Sequence, residues 1–190
     1  VARARQQAAS APLALGVRYR VDPADAPIPI ELRRIADGQL ERIEFTDSRT
    51  VAERSPLPMP AAYLVRAHQD ELGALFDRQG IRYRTLDAPR TVPAVEFVAG
   101  PPAVAPFANV SAKRSVMSSG APNATLDKAR ERGVRVDARP GDLWIELDQP
   151  RGRLVALLLE PHSSSCLFRL PDYFPLVSAG KALPIYRVPR

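Results

Sequence analysis

The chain has one cysteine, Cys166. That excludes an internal disulfide framework and a multi-cysteine zinc site. Aromatic residues are few, at 6%, and they do not interleave with basic residues as in a nucleic-acid stacking platform. Lysine is nearly missing: Lys113, Lys128 and Lys181 stand alone, and arginine carries the positive charge. The glycines are dispersed, so there is no phosphate-cradling loop, and there is no Gly-x-Ser-x-Gly nucleophile elbow. Long apolar runs are lacking too. The longest, Leu154 to Leu159, is far short of the ~20 residues a spanning helix needs, and no membrane span is expected. No internal repeat is visible. The chain opens Val1-Ala2-Arg3 without an initiator Met or a signal-peptide pattern, which reads as a cut terminus.

What is present is ordinary globular material. The 190 residues are 45% hydrophobic and 25% charged, enough to bury one core or one and a small second. The net charge is +6. Its arginines are scattered among apolar and acidic neighbours, so a solvated basic surface is expected rather than a nucleic-acid interface. Twenty prolines, about twice the usual share, favour short elements with rigid connections.

Val1 to Ala11 has helix-forming composition. Val17 to Val21 alternates apolar and charged residues, the pattern of a half-buried strand. Ile30 to Ile35 and Leu40 to Phe45 read as two strands around the turn dipeptide Asp37-Gly38. Arg54 to Pro60, with Pro56, Pro58 and Pro60, reads as a linker. Ala62 to Arg66 is a strand. His68 to Glu71 opens a helix whose stripe is Leu72, Leu75 and Phe76, and Gly80 ends it. Ile81 to Leu86 alternates again, so about 61–87 forms a β-α-β unit. Val92 to Val98 and Val134 to Val136 are further strands, and Phe107 to Asp127 is a long polar loop. Leu143, Ile145 and Leu147 alternate with Trp144 and Glu146. A helix then starts with Pro150 at its first position, with Leu154, Leu157 and Leu158 as its apolar face, and stops at Pro161. Leu183 to Val188 closes as a strand.

Several residues have the types that catalysis uses. His68 and Glu71, three apart on a helical turn, could share a zinc ion with His162 as third ligand. A helix N-terminus with a solvated acid explains the first two as simply, and such a match arises readily by chance. Ser163, Ser164, Ser165 and Cys166 follow Glu160-Pro161-His162, which places nucleophiles near a base. Neighbours in sequence seldom form a triad, and a serine-rich turn accounts for them. Glu146, Asp148 and Glu160 could supply a carboxylate pair, although strand alternation and helix faces place each at the surface. Trp144 reads as a core or domain-contact residue rather than a ligand platform.

Three stretches together resemble a known family. The first is Pro60-Ala-Ala-Tyr63-Leu64-Val65, a helix, and Arg78-Gln79-Gly80-Ile81. The second runs from Gly141-Asp-Leu-Trp-Ile-Glu-Leu-Asp-Gln149-Pro150 to Leu159-Glu160-Pro161. The third is Leu183-Pro-Ile-Tyr-Arg187-Val188. They are similar to the segment downstream of the catalytic domain in bacterial zinc carboxypeptidases of the carboxypeptidase A-like metallopeptidase family. That family has a His where Gln79 stands here. The similarity is specific over about 60–87 and 139–190. The resemblance implies a parent that hydrolyses C-terminal residues from peptides, with zinc held by a His-x-x-Glu…His set upstream. None of those catalytic or zinc residues maps onto this chain. His68 and Glu71 fall where the family has no zinc ligand.

The expected fold is therefore α+β, a mixed sheet with two or three helices. A β-rich portion over 1–59 precedes an α+β portion over 60–190, or the two form one domain. The expected function is that of a non-catalytic C-terminal module with no cofactor of its own. It packs on the parent's catalytic domain, which holds the zinc, and a peptide substrate is a further conceivable partner. An exposed apolar face would mark this reading. A stand-alone module binding anionic peptides or cell-wall polymers would instead show a basic groove. An autonomous zinc hydrolase would need His68, Glu71 and His162 to converge. A periplasmic or secreted location follows only from the resemblance.

Overall fold

The computed structural model describes residues 11–21, 26–101 and 126–190. The helix-forming start and nearly all of the polar stretch before Asp127 lie outside these. Among the described residues are ten strands and two α-helices, an α+β fold. The strands are β1 (Leu13–Arg20), β2 (Ile28–Arg33), β3 (Leu40–Phe45), β4 (Thr50–Leu57), β5 (Ala62–Val65), β6 (Arg84–Thr85), β7 (Arg90–Val98), β8 (Arg130–Ala138), β9 (Leu143–Glu146) and β10 (Ala182–Val188). The helices are α1 (Gln69–Arg78) and α2 (Gly152–Leu159), and two 3-10 turns follow at Leu167–Arg169 and Phe174–Leu176.

Six strands form the main sheet in the order β6-β9-β5-β10-β7-β8, and every neighbouring pair is antiparallel. The β-α-β unit at 61–87 is present, with β5 and β6 both antiparallel to β9, which lies between them. Its second strand is only Arg84–Thr85 rather than the whole of Ile81 to Leu86. Gln149 accounts for part of this. Its side-chain amide receives the Arg82 N–H at 2.8 Å and donates to the Arg82 carbonyl at 2.8 Å, replacing a strand partner with a side chain. Gly80, at φ +64°, closes α1 as expected.

Strand alternation divides the core. Tyr63, Val65, Leu143, Ile145, Leu183 and Ile185 face one side, where they meet Leu72 and Phe76 of α1 and Val155, Ala156 and Leu159 of α2. Burying each large side chain is worth roughly 1.5–3 kcal/mol. Ala62, Leu64, Val92, Ala94, Val136 and Trp144 face the other side. Arginines lie over the aromatic rings of that cluster: Arg84 and Arg90 over Trp144, and Arg66 over Tyr186. Long guanidinium-bearing stems can cover apolar surface while keeping their heads wet.

α2 departs from expectation in two ways. Pro150 lies outside it, before the cap residue Arg151. The most buried residues are Gly152, Val155, Ala156 and Leu159, whereas Leu154, Leu157 and Leu158 are only partly buried. The sequence Leu-Val-Ala-Leu-Leu-Leu is apolar all round, so periodicity cannot choose its face. Contact at Gly152 chooses it: a Cβ there would sit 2.0 Å from the Leu147 carbonyl oxygen.

The first four strands make two ribbons. β1 pairs with β4, Leu13 opposite Leu57 and Arg20 opposite Thr50. β2 pairs with β3, Ile28 opposite Phe45 and Arg33 opposite Leu40. Asp37 and Gly38, the latter at φ +70°, turn the chain between β2 and β3 as expected. Arg54 to Leu57 belongs to β4, a correction to the linker reading. Pro56 has no N–H to give to a ladder, and a two-stranded ribbon, in which each strand is an edge, tolerates it. Leu13, Leu15 and Leu57 belong to the same core cluster as α1 and α2.

Candidate functional site

In each ribbon most of the large apolar side chains fall on one face. In the first, Leu13, Leu15, Val17 and Tyr19 share a face with Val51, Glu53, Ser55 and Leu57 across the ladder. The inner end of this face is buried; the outer end is bare, with Val17 58% and Tyr19 71% exposed. In the second ribbon, Ile28, Ile30 and Leu32 share a face with Glu41, Ile43 and Phe45, and all but Ile28 are exposed. The opposite face of that ribbon carries Glu31, Arg33, Arg42 and Glu44, with Pro29 and the exposed Leu40. Among the described residues, nearly all the exposed large hydrophobic side chains lie between Val17 and Val51.

The three stretches that carry the family resemblance meet at one point in the core. Tyr63 on β5 donates its hydroxyl to Glu160 Oε1 at 2.5 Å. Arg187 on β10 donates to Glu160 Oε2 at 3.0 Å and also pairs with Glu131 on β8. His162 Nε2 lies 4.0 Å from the other Glu131 oxygen. Glu160 is fully buried, which corrects the surface placement expected for it. It follows the last turn of α2 and faces inward because Tyr63 and Arg187 supply the partners its carboxylate requires. Burial pushes its carboxyl above the ordinary glutamate value, while Arg187 and Tyr63 pull the other way. Burial, with the Glu160 charge beside it, drives the Tyr63 phenol well above its usual range. An acid set directly after Leu157-Leu158-Leu159 and before Pro161 was the available sequence signal for this site.

The remaining candidates are dispersed. His68 stands at the start of α1 in a left-handed conformation, φ +61°, with Nδ1 3.9 Å from Glu71 Oε1. His162 stands elsewhere: the two histidines line separate clefts, His68 with Arg66 and Tyr186, His162 with Arg54 and Ser164. Among the described residues no group of three His, Cys, Asp or Glu side chains could hold a metal ion. Ser163 is buried, and its hydroxyl accepts the Ser165 N–H at 3.1 Å. Cys166 is buried as well, and burial pushes its thiol up to about 12, the opposite of a reactive thiolate. Glu146 and Asp148 are exposed as expected. They border a cleft of about 510 Å³ with Arg82, Tyr83, Arg84, Trp144 and Gln149. There Arg84 pairs with Glu146 at 3.5 Å. Trp144 is a core residue, and its indole N–H has no hydrogen-bond partner among the described residues.

No known protein family, curated protein or solved structure matches the chain.

Proposed function

We propose that this chain is a non-catalytic module of a zinc carboxypeptidase-like protein, and that its paired ribbons dock on the catalytic domain of that protein. The observation that carries the reading is the bare apolar face of the two ribbons. A two-stranded ribbon is marginal in water by itself, and a large exposed apolar patch marks an interaction surface. The face of β1 and β4 runs from the module's own core outward, so a partner seated there would extend a core already begun. The resemblance supplies the identity of that partner. Its residues support a module: Tyr63, Glu160 and Arg187 build the interior, and Gln149 fixes the β6 edge. Such roles preserve a fold without chemistry of their own. The zinc belongs to the catalytic domain in this reading.

The test joins three measurements: zinc content and peptidase activity of the purified chain, and the intact mass of the protein in its source. The reading expects no stoichiometric zinc, no activity and a source mass well above 20.8 kDa. It also expects Tyr19→Thr and Phe45→Thr to weaken association with the separately produced catalytic part. Stoichiometric zinc that is lost in His68→Ala, together with peptidase activity, would overturn it. A source mass near that of the chain would favour a stand-alone binding module.

A further inference from the structure

A second cleft, of about 310 Å³, lies where the base of the first ribbon meets the loop after α2. Gly16, Val17, Arg54 and Ser55 of β1 and β4 form one wall, and His162, Ser164 and Arg169 form the other, with Asp127 at the border. The walls are tied together by the Ser164 N–H donating to the Leu15 carbonyl at 2.9 Å. Ser55 is left-handed, at φ +53°, a conformation that a residue with a Cβ rarely adopts. Such strain recurs where a side chain must be aimed at a site.

The charges are unequal. Arg169 is engaged: it pairs with Asp127 at 2.6 Å and donates to the Ser163 and Pro161 carbonyls at 3.0 Å. Glu131, behind His162, is taken up by Arg187. Arg54 has no ion-pair partner among the described residues. Among Arg54, Arg169 and Asp127 the lining therefore carries one excess positive charge, and the Ser55 and Ser164 hydroxyls add donors that rotate to suit a ligand. One unmatched guanidinium beside two hydroxyls fits a monoanion with two acceptor oxygens, which is a carboxylate. A dianion would meet Asp127 with a charge left over.

We propose that this cleft binds the carboxylate of a peptide, held by Arg54 with Ser55, Ser164 and His162 around it. Val17 also lies on the ribbon face proposed to dock, so the cleft is tested on the isolated chain, where that face is bare.

The experiment is a heteronuclear NMR titration of the whole chain, following the Arg54 side chain and the Ser55, His162 and Ser164 amides. Three probes separate the sources of the carboxylate: N-acetyl-Ala-Ala with a free C-terminus, the same dipeptide amidated, and N-acetyl-Asp-amide. The expected result is a saturable shift of those signals by the free-acid dipeptide, by the aspartyl probe or by both, and none by the amidated dipeptide. Arg54→Ala, at an exposed position, should weaken binding about tenfold or more, the equivalent of about 1.4 kcal/mol, with the spectrum otherwise folded. Ser164→Ala should weaken it by less. Equal binding of the amidated dipeptide, tighter binding of inorganic phosphate than of either carboxylate, or an unchanged affinity in Arg54→Ala would each overturn the proposal. So would the lack of any shift at these residues.

Discussion

Truncating Glu160 should be among the most damaging single changes in this protein. The carboxylate is fully buried and accepts from the Tyr63 hydroxyl at 2.5 Å and from Arg187 at 3.0 Å. Glu160→Ala removes both acceptors at once. The Tyr63 hydroxyl sits on a side chain with no exposed surface, and a buried donor left unpaired costs roughly 1–3 kcal/mol. Arg187 loses one of two carboxylates while keeping Glu131. Breaking a buried pair from one side costs about 3–5 kcal/mol when the remaining charge has no other partner; here Glu131 moderates it. The two losses share a site and do not add fully. A total of about 3–5 kcal/mol is expected, a large part of the roughly 5–15 kcal/mol that holds a domain together. Tyr63→Phe leaves the Arg187 pair intact and should cost less, about 1–2 kcal/mol. Equilibrium urea unfolding measures both, as a shift in midpoint at constant slope. A Glu160→Ala variant within about 0.5 kcal/mol of wild type, the usual range for surface changes, would refute the reasoning. So would a Tyr63→Phe variant that loses more than Glu160→Ala.

The same residue sets a pH dependence. Its folded-state pKa lies above the ordinary 4.5, so its contribution is fully present below that value and is lost as pH rises through the folded pKa. Wild type should therefore lose stability relative to Glu160→Gln as pH climbs from about 4.5 upward, measured as the difference between paired urea titrations; parallel pH curves would contradict this. Cys166, with its thiol pushed up to about 12, should resist a thiol-labelling reagent at pH 8 in the native state and react on unfolding; fast native labelling at the rate of a free thiol would show that the burial is wrong. Gly152→Ala must displace the Leu147 carbonyl, 2.0 Å from the new Cβ, and should cost at least about 1–3 kcal/mol in thermal or urea unfolding. Gly133→Ala, with nothing within 4 Å, should be neutral or gain up to about 1 kcal/mol, and equal losses in the two variants would remove the steric explanation.

Much of the fold was legible because its signals are local. The Asp37-Gly38 turn and the stripe of α1 each depend on a few neighbouring residues. The errors occurred where distant contacts decide. The face of α2 is set by a carbonyl five residues before Gly152, the shortness of β6 owes part of its cause to the side chain of Gln149, and β4 runs through Pro56 because it is one strand of a ribbon with an open edge. Glu160 belongs to the same class. Its partners are 97 positions before it and 27 after it, so its apolar neighbours hint at burial while the groups that permit it lie far along the chain. The cleft beside His162 needed Arg54 and Ser55 from another ribbon, a conjunction no spacing rule encodes.

Alternation in a strand is a statement that one of its faces is covered, and a sequence cannot say by what. In β5, β9 and β10 the cover is α1, α2 and the neighbouring strands. In β1 the same period continues past the point where the body ends: Leu13 and Leu15 are buried, Val17 and Tyr19 are bare, and all four share one face. β2 and β3 show a similar split, with Ile30, Leu32, Ile43 and Phe45 beside Glu41 on one side and Glu31, Arg33, Arg42 and Glu44 beside Leu40 on the other. A ribbon needing only to stay soluble would gain from charge on both sides. Keeping one side largely apolar over both ribbons, with Glu53 and Glu41 the charges on it, costs solubility, and on the reading proposed above the catalytic domain covers it. The half-buried pattern read at Val17 to Val21 finds no cover among the described residues, since Val17 and Tyr19 stay exposed, and that is what the docking proposed above requires.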